Sequence, residues 1–367
     1  MLSRIRRILS YIKPTRQPDF KHPWRQVAEM LIYLLFWPLS PIEYQAYKFG
    51  RKGIGPRQMR QYLRNTHATK VLRPRLNDPQ WAPLLGNKLL FNSYYSQRGL
   101  PVSTIYGMFH PLFGSDIDGK PLRTARDLAD WVAEKGITQF VVKPLAGTGG
   151  SAVLVLEAVD SPGSNPVFRD SGGQRYTIDE LAKHMSQVLD FKNQGFILEE
   201  RLIGHPDLAR FNPSSVNTCR IVTLVSRDGQ AEILYAALRI GGTGKNTDNW
   251  HSEGIGASID KETGIIGEGM IRPEFGGTIH TSHPGTGVTF TGEKIPDWPD
   301  IAQLAIKAAK ITPFIHSVGW DIAATPNGPV IIEGNGQWAP FIIQAVHGGI
   351  LTPENREKFA HFGLRFP

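Results

Sequence analysis

Cysteine is almost absent from this chain: of 367 residues, only Cys219 carries a thiol. That excludes an internal disulfide framework and any CxxC metal site. It fits a reducing compartment, and the thiol itself reads as a small buried hydrophobe. Long apolar runs are also lacking. The longest candidate, Met30 to Leu39, has about ten residues, where a bilayer span needs about 20. Pro38 and Pro41 interrupt its helix, and no small-residue cleavage site follows it, so a signal peptide is not expected. The eleven histidines form no HExxH and no paired metal spacing. No Ser or Cys stands in a nucleophile constellation, and no internal repeat with a period of about 20–50 residues is seen.

What is present is an ordinary folded-protein composition, 41% hydrophobic and 20% charged, with a formal net charge of +8. Such a charge attracts anions, whether nucleotide, acidic polysaccharide or lipid surface. Much of the excess sits early, with seven Lys/Arg against one Asp in residues 4–26. The apolar stretch 27–44 that follows admits two readings. One is a core helix packed on the main body. The other is a basic, aromatic-tipped segment lying on a membrane surface, a peripheral contact through residues 1–45. No RNA-stacking or DNA-binding motif accompanies it, so no nucleic-acid partner is expected.

Along the chain, helical patterns occupy 56–66, 87–99, 124–136, 177–189 and about 298–312. The third is capped by Thr124, carries Asp127 in its first turn and stops at Gly136. Strand patterns occupy 138–144, 152–159, 195–202, 219–227 and 231–240. Two more flank Pro326-Asn327-Gly328, and residues 160–174 read as a loop. Hairpins mixed with helices imply an α+β fold.

Three stretches carry chemistry. In "VVKPLAGTGGSAVLV" a strand ends at Lys143, and Gly147, Thr148, Gly149, Gly150 and Ser151 follow before a second strand. Glycines there let backbone N–H groups approach phosphate oxygens, and Lys143 adds a positive charge. No GK[ST] leads into a helix, so it is no Walker loop, and "GGTGKN" (241–246) fails that pattern at both ends. "FILEERLIG" ends a strand in Glu199 and Glu200, acids able to accept hydrogen bonds from an adenine amino group or from ribose. The last pair of strands, "GWDIAATPNGPVIIEGNG", places Asp321 across from Glu333 if the loop has three residues and Thr325 faces Pro329. Asn335 then lies on the same face. Opposed carboxylates destabilise a sheet, and a hard divalent cation such as Mg²⁺ removes that cost.

Taken in order, these parts resemble the ATP-grasp superfamily over roughly residues 80–350. The run "NTCRIVTLVSRDGQAEILYAALRIGGTGKNTDNWHSEGIGA" is similar to that of the ribosomal-protein glutamate ligase branch, and the chain looks most like the sugar-transfer-associated group. The resemblance implies an ATP-grasp fold in which ATP is held between two α+β subdomains, with a basic helical N-terminal extension. Its divisions would be the extension at 1–75, a pre-grasp segment at 76–136, a small subdomain at 137–203 and a large subdomain at 204–367. It implies that Lys88 and Lys143 contact the α- and β-phosphates, that the loop 147–151 covers the phosphates, that Glu199, Glu200 and the Leu202 backbone hold adenine, and that Asp207 reaches the ribose. Arg220 would face the γ-phosphate, Arg239 and Asn249 the carboxylate substrate, and Asp321, Glu333 and Asn335 two Mg²⁺ ions. The activity implied is a cytoplasmic carboxylate–amine ligase in cell-envelope or polysaccharide-linked biosynthesis, working through an acyl phosphate, with ADP and phosphate as products. A phosphotransferase acting on a hydroxyl, or a silent nucleotide-binding scaffold at the membrane, are the alternatives. The chain departs from peptide-forming ligases at Gly336-Gln337-Trp338, which marks that tripeptide as a place for acceptor recognition.

Overall fold

The structure is a computed structural model and describes residues 10–37, 39–145, 153–159, 166–187, 189 and 195–366. The chain opens with helix α1 (Pro23–Phe36) and the short helix α2 (Pro41–Ala46). Pro23 stands at the first turn of α1, where its missing N–H costs nothing. A reciprocal capping box starts α2: Glu43 N–H donates to Ser40 Oγ (3.2 Å), and Ser40 N–H donates to Glu43 Oε2 (2.9 Å). The helix expected over 56–66 is broken. Only Pro56–Met59 and Asn65–His67 are helical, because the chain between them turns to reach Gln344. Helix α3 (Lys88–Ser96) begins at Asn87, whose side chain accepts from the N–H groups of Leu89 and Leu90.

Two all-antiparallel sheets of seven strands follow. The first contains β1 (Ile105–Phe109), β2 (Ser115–Asp116), β3 (Gln139–Pro144), β4 (Leu154–Ala158), β5 (Val167–Asp170), β6 (Arg175–Thr177) and β7 (Phe196–Glu199). Its order is β2-β1-β7-β3-β4-β5-β6. Helices α4 (Ala125–Lys135) and α5 (Ile178–Gln187) cover one face. There Leu128, Trp131, Leu181 and Met185 pack on Phe140, Leu156, Phe168 and Leu198. Strand β5 lies inside the stretch 160–174 read as a loop. Arg169 and Asp170 make it look polar, but Phe168 is fully buried.

The second sheet contains β8 (Thr218–Val225), β9 (Ala231–Ile240), β10 (Ile255–Ile259), β11 (Ile266–Ile271), β12 (Ile279–His280), β13 (Ser317–Thr325) and β14 (Gly328–Asn335). Its order is β12-β11-β10-β9-β8-β13-β14. Both faces are covered, so β8 and β13 are buried along their whole lengths. Cys219 and Ile221 face a core closed by α6 (Trp298–Ile311). Val222 and Leu224 face the opposite core, built from α7 (Pro340–His347), α8 (Pro353–Ala360) and the N-terminal helices. Met30, Tyr44, Tyr47, Phe49, Leu63 and Leu72 all lie in that second core. Thus the apolar N-terminal segment is core on one side, as the first of its two readings has it.

The β13–β14 hairpin corrects one expectation. The loop is the two residues Pro326-Asn327, and Thr325 pairs with Gly328, not Pro329. A bulge at Ile332 then restores the pairing of Asp321 with Glu333. The extra residue sits within the strand and not in the turn.

Candidate active site

A cleft of about 410 Å³ separates the two sheets. Its apolar wall comes from alternate residues of the first sheet, Ile105, Val141, Val155 and Ile197, and is met by Ile332 from the second. Charged groups stand at the end of this slot: Lys88 and Lys143 on one side, Arg239, Asp248, Asp321 and Glu333 on the other. Glu199, Glu200, Leu202 and Asn249 also line it.

Each charge is fixed by its element. Lys88 is the first residue of α3. Burial lowers its pKa, Glu333 acts in the opposite direction, and Lys143 adds to the lowering. Lys143, near the end of β3, is ion-paired to Glu199 of β7. The other oxygen of Glu199 accepts from Ser103 Oγ. That carboxylate is therefore occupied in holding Lys143. Glu200 Oε1 accepts from the Thr104 N–H (2.7 Å).

Across the cleft, Arg220 grips Asp321 with two parallel bonds, from Nε to Oδ1 and from Nη2 to Oδ2, the latter 2.8 Å. Arg239 Nη1 reaches Oδ2 of the same carboxylate at 2.7 Å, and its Nη2 meets Asp248 Oδ1 at 3.1 Å. Thr218 Oγ1 donates to Asp248 Oδ2. Burial acts to raise the Asp321 carboxyl, but Arg220 and Arg239 override it and hold the group far below the usual carboxylate range. Glu333 has the opposite fate: burial, and then the neighbouring Asp321, push its carboxyl up. Asn335 Nδ2 donates to Glu333 Oε1 (3.2 Å) and to Gly319 O (3.4 Å).

Among the described residues, no three His, Cys, Asp or Glu side chains gather as a metal cluster. Mg²⁺ does not require one, since it commonly takes one or two carboxylates and completes its shell with phosphate oxygens and water. Glu333 beside the arginine-paired Asp321, with Asn335 next to it, is a hard oxygen set of the kind such an ion takes.

The sequence-predicted residues divide three ways. Lys88, Lys143, Glu199, Glu200, Leu202, Arg239, Asn249, Asp321 and Glu333 meet at the cleft. Gly147, Thr148, Gly149, Gly150 and Ser151 lie outside the described residues. Arg220, Asn335 and Asp207 do not line the cleft: Arg220 and Asn335 stand behind Asp321 and Glu333, while the Asp207 side chain is 65% exposed in the first turn of the short helix Pro206–Ala209, beside His205. Of the tripeptide Gly336-Gln337-Trp338, Gln337 is exposed and Trp338 is buried. The Trp338 Nε1 donates to Ser317 Oγ at 2.8 Å. Asp248, Thr218 and Ser103 were missed. Asp248 stands next to Asn249 in the polar run "NTDN", and only the fold shows which of those side chains turns inward.

The two sheets, the slot between them and the lysine and carboxylate walls define a protein of the ATP-grasp fold. The chain belongs to the sugar-transfer associated ATP-grasp family, whose sequence pattern matches residues 67–358. Its similarity to solved structures is distant. A biotin carboxylase from Campylobacter jejuni in complex with βγ-ATP is 15% identical with a TM-score of 0.43, over 77% of this chain and 47% of that one. A RimK domain ATP-grasp protein from Sphaerobacter thermophilus is 13% identical with a TM-score of 0.37, over 74% and 67%. A D-alanine–D-alanine ligase from Coxiella burnetii is 14% identical with a TM-score of 0.36, over 77% and 53%. The chain spans about half the length of the biotin carboxylase. No curated protein matches it.

Proposed function

We propose that the chain is an ATP- and Mg²⁺-dependent carboxylate–amine ligase, acting at the cytoplasmic face of the membrane on a cell-envelope or polysaccharide-linked substrate. The observation that carries this is the polarity of one cleft. An apolar slot suited to a purine base opens onto two lysines, which face a carboxylate pair held by arginines. In this reading residues 76–136 form a pre-grasp segment, 137–203 the small ATP-holding subdomain and 204–367 the large one.

Lys88 and Lys143 offset the charge of the nucleotide phosphates, and the Ser103–Glu199 pair fixes where Lys143 points. Glu200 and the Leu202 backbone sit where the base amino group would lie. Asp321, Glu333 and Asn335 would hold Mg²⁺, which would supply positive charge to offset the charge that develops during phosphoryl transfer. The γ-phosphoryl passes to an oxygen of the substrate carboxylate as ADP leaves. The amine nitrogen then attacks the acyl carbon, the phosphate oxygen departs and the nitrogen gives up a proton. Arg239 and Asn249 flank the point of attack. Arg220 acts from behind, fixing Asp321.

The test is an ADP-release screen over amino acids and sugar acids paired with amines, followed by product analysis. An amide with ADP and phosphate supports the reading, whereas a phosphoester with ADP and no free phosphate makes the enzyme a phosphotransferase. Glu333→Gln should lower turnover by about 10²-fold or more, the scale on which charge-stabilising groups act. It should also abolish the extra thermal stabilisation that Mg²⁺ adds to ADP binding. Equal rates in the two proteins would remove Glu333 from the metal site.

A further inference from the structure

We propose that α1 is a docking element for an anionic phospholipid surface, bound through Trp24, Leu31, Ile32, Leu35 and Phe36. These side chains are 68%, 38%, 52%, 74% and 81% exposed. With Ala28 they recur at helical spacing and form one outward stripe. Single exposed apolar residues are ordinary, but a contiguous stripe that includes both aromatics and branched aliphatics is not.

The stripe is not required by the fold, because the other face of α1 is already docked. Gln26 and Met30 are buried. Glu29 accepts from Lys21 Nζ (2.8 Å) and from Tyr44 Oη (2.6 Å), and the Tyr33 ring lies 6.2 Å from that of Tyr44. At 14 residues the helix is only about 21 Å long. No described helix is long and apolar enough to cross a membrane. A helix anchored along one face with an apolar stripe along the other can only lie in the plane of a surface.

Charge says which surface. Residues 1–75 hold 16 of the 41 Lys/Arg and 3 of the 33 Asp/Glu, a net +13, so the remainder of the chain carries −5. Such a molecule is pulled to an anionic surface by one end and repelled along the rest, which also orients it. Cations stand at both ends of the stripe. Arg25, 61% exposed, adjoins Trp24. Arg60 and Arg64 share a groove with Trp37 at the other end, where Arg64 Nη1 donates to the Trp37 carbonyl at 3.0 Å. A protruding apolar stripe bracketed by arginines suits the headgroup–acyl boundary, where long basic side chains reach phosphates while the apolar side chains enter the lipid.

This inference does not rest on the ligase reading. The test is co-sedimentation of the full chain with phosphatidylcholine vesicles and with vesicles that also contain phosphatidylserine, beside the double variant Leu35→Gln, Phe36→Gln. The expected result is binding to the serine-containing vesicles that weakens with salt, and a loss of at least about tenfold in the double variant. Melting temperature and ADP binding should be unchanged, because both side chains are mostly in solvent. No binding to anionic vesicles, or equal binding by the variant, would overturn the proposal. So would concentration-dependent self-association that the double variant abolishes, which would assign the stripe to a second copy of the chain.

Discussion

At the scale of single residues, the site is governed by who pairs with whom. Arg220, Arg239, Asp248 and Asp321 form one ion-pair network largely withdrawn from solvent. A charge removed from water needs such compensation, and taking away one partner leaves another exposed to a low-dielectric interior. Arg239 would keep Asp321 if Asp248 were lost, so Asp248→Asn should cost about 1–3 kcal/mol of stability and not the larger penalty of a fully orphaned charge. Its effect on turnover should be larger, because Arg239 loses one of the two anchors that fix its guanidinium. On the role proposed for Arg239, such a displacement costs roughly 10²-fold. The expected signature is a fall in kcat with little change in the affinity for nucleotide, measured by steady-state kinetics beside calorimetry. A purely structural role for Asp248 would instead show as lowered melting temperature with kcat preserved in the folded fraction.

At the scale of elements, strand β13 aims the site and α7 braces it. Gly319 of β13 lies against Trp338: a Cβ placed there would come within 2.5 Å of the Trp338 Cβ and 3.2 Å of Arg220 Cδ. Gly319→Ala should therefore push Trp338 and Arg220 apart, at a cost of about 1–3 kcal/mol. Thermal unfolding measures the loss of stability, and a parallel drop in ADP release would show that Arg220 moved with it. Helix α7 ends in His347, whose Nε2 lies 2.6 Å from the Ala236 carbonyl of β9. Burial lowers the pKa of this imidazole below its ordinary 6.5, although the Ala236 contact and Asp260 act in the other direction. A base with a depressed folded pKa contributes stability above its unfolded value, and that contribution is lost as pH falls through the folded one. Melting temperature should decline as pH drops below 6.5, and His347→Gln should flatten that part of the profile.

At the scale of the whole molecule, the N-terminal region is not an appendage. Gln344 of α7 binds the backbone of Leu63 from both sides: its Oε1 accepts from the N–H at 2.6 Å and its Nε2 donates to the carbonyl at 2.8 Å. The same Nε2 reaches Tyr47 Oη at 2.9 Å. Gln344→Ala would strand these buried groups, each at about 1–3 kcal/mol, so we expect a clear drop in melting temperature with the nucleotide site intact. Deletion of residues 1–75 should yield insoluble protein, because it uncovers one face of the second sheet. The family match begins only at residue 67, so much of this core lies outside the part of the chain shared with relatives. The region therefore has two roles on two faces, one packed on β8 and β9 and one turned outward along α1.

Much of this was legible in the sequence, and for identifiable reasons. Local chemistry marks local structure: the Thr124–Asp127 cap, the Gly136 stop and the length of β9 needed no tertiary information. The order Lys143, Glu199, Asp321, Glu333 was likewise visible, because charged residues in or at the ends of apolar strands are conspicuous. The strands β1, β2, β5, β6 and β10–β12 were not visible. They are short or glycine-containing, and their pairing is set by partners elsewhere in the chain. The hairpin shows the limit most clearly. Alternation within the strands pointed to Asp321 opposite Glu333, but the sequence could not tell a three-residue loop from a two-residue turn followed by a bulge at Ile332. The sequence by itself thus determined the α+β class, the charge asymmetry and most of the charged cleft-lining side chains. Only the tertiary structure decided that Glu199 restrains Lys143, that Arg220 stands behind Asp321 and that Asp248 completes the network, because those pairings join strands far apart in the chain and exist only once both sheets are folded.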